Sequence, residues 1–347
     1  TGVLQEGQMQ ILSTIKYSKS KTFYAEDRDT TPFFDNLSSN YLFLKADYGL
    51  TSKLTFSVAT GYYLHRTITE FADTTYGVDS TMNINQHKVS SKGFGDLIIF
   101  PRYSVYANTK KSIHSELSLG LGLKIPIGSH DDSSFVGYQL EFNAGGGTPY
   151  FDTTEIWNTS PPTVQTATGS NDLMFYSFYL KDFQKKNFKI FASALYIYKG
   201  WNSLGLKFGD YATVGISAAT NVLKGRLNLL GQIKGEWVGK MKSHKDLDIL
   251  SLYSIDATST GSRMLSFVPQ VTYTFKKPNL SLFATADIPM YQYMRGIQIS
   301  SQMQVTAGIS YRFFAKKQKE EPEIVENGLV VFQEEMFKVF GICGMCK

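Results

Sequence analysis

The stretch SELSLGLGLKIPIG, residues 115–128, alternates without a break. Leu117, Leu119, Leu121, Leu123, Ile125 and Ile127 share one face; Glu116, Ser118, Gly120, Gly122 and Lys124 share the other. Period two specifies a strand, and here the length is the constraint. A strand in a globular sandwich runs about 5 to 6 residues, whereas about 9 to 11 residues with one aliphatic face match the thickness of a bilayer.

The pattern recurs. Met303, Val305, Ala307, Ile309, Tyr311 and Phe313 oppose Gln302, Gln304, Thr306, Gly308, Ser310 and Arg312; Leu227, Leu229, Ile233 and Trp237 oppose Gln232, Lys234 and Glu236; Leu280, Leu282, Ala284, Ala286 and Ile288 oppose Ser281, Thr285 and Asp287. About twelve segments qualify: 8–18, 38–50, 53–66, 92–107, 112–127, 168–183, 187–200, 208–222, 225–240, 262–276, 279–290 and 300–314. Short polar turns (LTSK, ANTKK, FQKKN, LKG, KKPN) follow the even-numbered segments. Longer connections follow the first, third, fifth, ninth and eleventh, the longest being 128–167; the seventh, WNSLGLK, is brief. Turns on one side and loops on the other is the layout of an outer-membrane barrel, in which a sheet closes so that no backbone polar group faces lipid. A soluble sandwich would have to press its aliphatic faces together and gives no reason for the asymmetry.

Composition fits. The chain is 14 % aromatic and only 19 % charged, with a formal charge of +5 spread along its length, so no nucleic-acid footprint is expected. No apolar run reaches the roughly 18 residues of a membrane helix. Traced up and down, the strands place Tyr62, Tyr63, Tyr196, Tyr198, Trp201, Tyr211, Trp237 and Tyr291 near the loops, and Tyr48, Tyr103, Tyr106, Phe183, Tyr273, Phe275, Tyr311 and Phe313 near the turns, as two interfacial girdles. The inward faces are expected to carry Lys45, Asp47, Asp96, Arg102, Glu116, Lys124, Lys181, Lys234, Glu236, Asp287 and Arg312, either as a self-paired polar interior or as a solute path. Twelve strands fall between filled small barrels and open large ones. Residues 1–10 carry no charged, apolar leader, so any export signal is expected to have been removed.

Enzymatic chemistry finds little support. There is no Gly-x-Ser-x-Gly, and His65, His87, His114, His130 and His244 fall at loops or strand ends. GSHDD (128–132) reads as a solvated loop tip, and AGGGT (144–148) lacks the Lys-Ser/Thr of a phosphate loop.

Four stretches carry a resemblance: a Tyr-Gly-Leu-Thr turn (48–51), a Gly-x-Gly-Asp (93–96), a Gly-Leu-Lys-x-Pro-x-Gly (122–128) and a Thr-Gly-Ser-x-Asp (168–172). Across residues 40–314 the chain resembles the outer-membrane transporter family named after the meta pathway of phenol degradation. The resemblance implies an outer-membrane barrel with a transport role. The strand ending in Phe313-Phe314 is similar to the terminal-aromatic signal read by the barrel-assembly machinery. This chain departs from the family by continuing past that strand.

Residues 315–328, charged and holding Pro322, read as a linker. The end of the chain, LVVFQEEMFKVFGICGMCK, holds its only cysteines, Cys343 and Cys346. It resembles the start of a heavy-metal-associated domain, with Ile342 where the usual Met stands. The helix and later strands of such a domain are missing, so continuation into a longer protein is expected. Two thiolates at this spacing can converge on a soft ion, Cu(I) or borderline Zn. The rivals are a thioredoxin-like redox pair, which normally has an aromatic where Ile342 stands, and a pair with no role.

The sequence thus predicts an all-β chain: an up-and-down transmembrane β-barrel of about 12 antiparallel strands over 1–314, a linker over 315–328 and a truncated ferredoxin-like α/β segment over 329–347. It is expected to sit in the bacterial outer membrane with both termini periplasmic, in contact with lipid, passing or binding a small solute. No catalytic residue or barrel cofactor is expected, and Cys343 and Cys346 are the metal candidates. The alternative is a structural anchor for a periplasmic metal-carrier or redox domain.

Overall fold

The computed structural model describes residues 2–76, 82–85, 87–143, 150–244, 259–275 and 279–315. Among them, twelve long strands form one closed antiparallel sheet in chain order: β1 (Gln8–Ser20), β2 (Asn36–Thr51), β3 (Leu54–Thr69), β4 (Leu97–Lys110), β5 (Ile113–Ile125), β6 (Asp172–Phe183), β7 (Phe188–Tyr198), β8 (Tyr211–Val222), β9 (Leu227–Val238), β10 (Ser262–Thr274), β11 (Leu280–Ile299) and β12 (Gln304–Phe314). The seam pairs β1 with β12 in a continuous register from Gln8↔Phe314 to Tyr17↔Val305, which leaves no sheet edge to be satisfied by lipid. Every expected segment contains one of these strands, although the sixth opens only at Asp172 rather than at 168.

The aliphatic faces point outward. Ile216 is 68 % exposed, Val214 60 % and Leu121 56 %, while their inward neighbours Ser217 and Ser118 are buried. An apolar belt of this extent on a soluble monomer would far exceed an ordinary surface patch; it is the surface of a barrel seated in hydrocarbon. The β4–β5 turn is a two-residue hairpin with Lys111 (φ 49°) and Ser112 (φ 65°) both left-handed, the geometry that matches strand twist.

Three expectations need correction. The eleventh connection is not long: β11 runs on to Ile299, and residues 291–299, read as loop, extend the strand to pair with Phe23–Glu26. Extending β11 satisfies backbone groups that a loop would leave to water. Tyr63 and Tyr211 are not girdle residues but are buried and face inward. The longest connection does not remain outside: after a hairpin (Ser133–Asn143 with Tyr150–Thr159), residues 160–171 fold down into the mouth, where Thr163, Val164, Gln165, Thr166, Ala167 and Ser170 are all at most 1 % exposed. Residues 316–347, with the linker, the proposed α/β segment and both cysteines, lie outside the described residues, as does AGGGT.

Candidate functional site: the barrel lumen

The inward wall is divided lengthwise. From β2 to β7 it carries Tyr41, Phe43, Tyr63, Phe100, Tyr176, Phe178 and Phe191, all buried. The rings pack against one another, tilted for Tyr41–Tyr63 at 4.5 Å, edge-on for Phe100–Tyr176 at 5.7 Å and stacked for Phe178–Phe191 at 6.1 Å between centroids. Inward glycines make room for them. A Cβ on Gly122 would lie 2.4 Å from the Phe100 ring, and one on Gly61 would lie 1.7 Å from the Tyr41 hydroxyl. From β8 round to β1 the wall is richer in small and polar residues: Thr213, Ser217, Ser266, Gln270, Thr272, Ser281, Thr285, Thr306, Ser310, Gln10 and Thr14, with Tyr211 and Phe283 as aromatic exceptions and Leu12, Leu230, Met264 and Val268 as aliphatic ones.

Most of the expected interior charges point inward and meet a charge of opposite sign. Lys181 is a correction: it shares the outward face of β6 with Phe175 and Tyr179, odd-numbered there, while the buried Met174, Tyr176 and Phe178 are even. Asp47 accepts from Arg102 at 2.8 Å and from Ser57, with Lys45 at 3.1 Å. Lys234 meets Asp287 at 2.5 Å and Glu236 at 3.7 Å, and the Tyr211 hydroxyl donates to Glu236. Arg312 donates to Gln10 at 2.9 Å. Lys181 sits over the Phe183 ring at 5.5 Å.

At the loop-side mouth four groups form one cluster. Lys124 contacts Asp96 at 2.5 Å and Asp172 at 2.9 Å, and Lys199 contacts Asp172 at 2.9 Å. Two ammonium groups face two carboxylates, so the cluster is neutral, and Lys124, Asp96 and Asp172 are fully buried. The inserted segment is bonded into it: Lys124 donates to Thr168 Oγ1 at 2.6 Å, and Ser170 Oγ donates to Asp172 at 2.8 Å. Asp172 and Lys199 were missed as lumen residues. Both fall inside expected segments, 168–183 and 187–200, but at the loop-side ends, where Asp172 opens its strand and Lys199 follows one and the alternation no longer marks a face. The signal was the shared motifs. Gly-x-Gly-Asp supplies Asp96, Gly-Leu-Lys-x-Pro-x-Gly supplies Lys124, and Thr-Gly-Ser-x-Asp supplies Thr168, Ser170 and Asp172.

GSHDD is not a solvated tip. Asp132 N donates to Gln165 Oε1 at 3.1 Å, Ser129 N to Thr166 Oγ1 at 3.1 Å, and His130 pairs with Ser203 at 2.7 Å. At the opposite, turn-side mouth, residues 2–5 also fold inward. Arg102 donates to the Gly2 carbonyl, Glu116 accepts from Val3 N, and Thr55 Oγ1 accepts from Leu4 N. The Tyr-Gly-Leu-Thr turn meets them there, since a Cβ on Gly49 would strike the Gln5 carbonyl at 1.9 Å. Among the described residues no group of three or more His, Cys, Asp or Glu could hold a metal.

No family model matches the chain, and no curated protein matches it. Solved structures do. An outer membrane channel from Pseudomonas putida F1 is 12 % identical with a TM-score of 0.58, covering 90 % of this chain and 97 % of that one. The beta domain of the Bordetella autotransporter BrkA is 9 % identical (TM-score 0.43, covering 88 % and 99 %). The Ralstonia pickettii toluene transporter TbuX is 11 % identical (TM-score 0.41, covering 89 % and 90 %). The first establishes a likeness of fold: this chain has the architecture of an outer-membrane β-barrel.

Proposed function

We propose that the protein is a bacterial outer-membrane barrel that binds or passes small uncharged solutes. The lengthwise-divided lumen carries this reading: an aromatic half offers flat apolar contact, and a hydroxyl and amide half offers hydrogen bonds. Nearly all the interior charges lie against one of opposite sign, which weakens the field available to draw in an ion. The Pseudomonas putida protein of like fold is named a channel, which agrees. Purified barrel in planar bilayers and in liposome-swelling assays should admit uncharged solutes; a silent bilayer from barrel that still migrates as folded overturns the reading.

The turn side, where the strand ends of β1 and β12 lie, is taken as periplasmic. There Cys343 and Cys346 bind a soft ion, Cu(I) or Zn, as the opening loop of a heavy-metal-associated domain. Metal titration of the chain against a Cys343→Ser/Cys346→Ser variant tests this, and equal Cu(I) retention by both overturns it. A second reading, a barrel that only anchors such a domain, is favoured by the self-paired interior. It expects no conductance from the whole chain or from a chain ending at Phe314.

A further inference from the structure

The connection between β5 and β6 crosses the mouth it enters. At one end it is tied to the wall by Lys124, by Asp172, and by Asn202, whose side-chain amide donates to the Thr168 carbonyl at 3.2 Å. Further along, Arg66 of β3 donates to the Gln165 carbonyl at 2.8 Å, and Ser91 donates to the Val164 carbonyl. Val164 then joins a buried apolar cluster with Phe23, Phe34, Ile68, Val89 and Ile299. Ile299 ends β11, which stands nearly opposite β6 in the ring of twelve. The segment therefore runs from one wall to the other.

Its bonds are uneven. On the far side it is held by apolar contact and two donated hydrogen bonds. On the near side its hydroxyls are built into a buried ion cluster whose partners come from four places: before β4, in β5, at the start of β6 and after β7. Glycines let it sit that close. Gly169 is left-handed (φ +73°), and a Cβ there would enter the His130 ring at 2.3 Å; a Cβ on Gly128 would meet the Phe94 carbonyl at 2.0 Å. Buried charge holds its geometry only while every partner is present.

We propose that residues 160–171 form the constriction that sets what passes this barrel, and that Lys124, Asp96, Asp172 and Lys199 are the positioning residues that clasp it across the mouth. This rests on the solute-passage reading. Outside the clasp, the wall behind the segment is barrel lumen, so releasing the clasp widens the mouth without opening the sheet.

The test starts from a Cys343→Ser/Cys346→Ser chain carrying Val164→Cys, reconstituted in liposomes and labelled with a water-soluble maleimide. Labelling should be slow. Adding Lys124→Met should accelerate it on the order of a hundredfold, because the buried Asp96 loses the ammonium that contacts it, Asp172 keeps only Lys199, and the segment opens locally. Thr168→Val, which cuts the tie without stranding a charge, should accelerate it less. Both should raise single-channel conductance, with gel migration of folded barrel as the control. Unchanged labelling overturns the clasp. Fast labelling at unchanged conductance overturns the constriction. Silence in every variant, including deletion of 161–167, overturns the solute-passage reading itself.

Discussion

Asp47 shows how a single interior residue is held. Its carboxylate takes Arg102, Lys45 and Ser57 together and is 3 % exposed. Removing one member of a buried ion pair typically costs about 3 to 5 kcal/mol because the other is stranded. Arg102→Met should therefore lower the urea midpoint of the barrel, and it should also free residues 2–5 at the turn-side mouth, since Arg102 holds the Gly2 carbonyl. Proteolysis of residues 2–7 in folded barrel checks the second effect; resistance equal to the parent's would rule it out. Thr306 gives the opposite expectation. Its hydroxyl is buried on the polar wall and has no hydrogen-bond partner among the described residues. Thr306→Val keeps the shape and should be neutral or stabilising by up to about 1 kcal/mol, read from the same unfolding midpoint. These roles were half legible. Charge on an inward face told that Asp47 and Arg102 point into the lumen. It did not tell which charges meet, because partners two strands apart are brought together by register, and register is not written in any one strand.

At the scale of elements, the strands were legible and their ends were not. Alternation marks a strand wherever one face meets lipid, but β11 continues past the belt to Ile299, where both faces change environment and the pattern fades. The same holds for the aromatic half of the lumen. In YLFLK (41–45), Tyr41 and Phe43 face inward and Leu42 and Leu44 outward, so apolar residues fall on both faces and period two disappears. The β4–β5 hairpin carries its own prediction. Lys111 and Ser112 sit in left-handed backbone without the Asn-Gly that favours it. Lys111→Asn with Ser112→Gly should stabilise the barrel by on the order of 1 kcal/mol, seen as slower unfolding in urea with conductance unchanged.

For the whole molecule, the outward belt is what commits the chain to a membrane. Ile216 lies in the middle of β8 and is the most exposed apolar side chain there. Ile216→Arg should destabilise the folded barrel in bilayers by about 2 to 4 kcal/mol, measured as a loss of folded yield on dilution from urea into liposomes; an equal loss from Ser217→Ala, an inward neighbour, would show that lipid exposure is not the cause. Twelve strands, their up-and-down order and most of the split between turns and loops, the eleventh connection apart, follow from the sequence by itself. Each depends on local alternation and on the rule that backbone in lipid must be paired. The tertiary structure alone decided what fills the ends of the barrel. It brought three short motifs, spread from Gly93 to Asp172, onto one neutral cluster, and it folded residues 160–171 into the mouth. A polar segment rich in Thr, Ser and Pro looks like loop from its composition. It becomes interior only because the closed wall supplies, from other strands, partners for its hydroxyls and carbonyls, and those partners exist only once the barrel has closed.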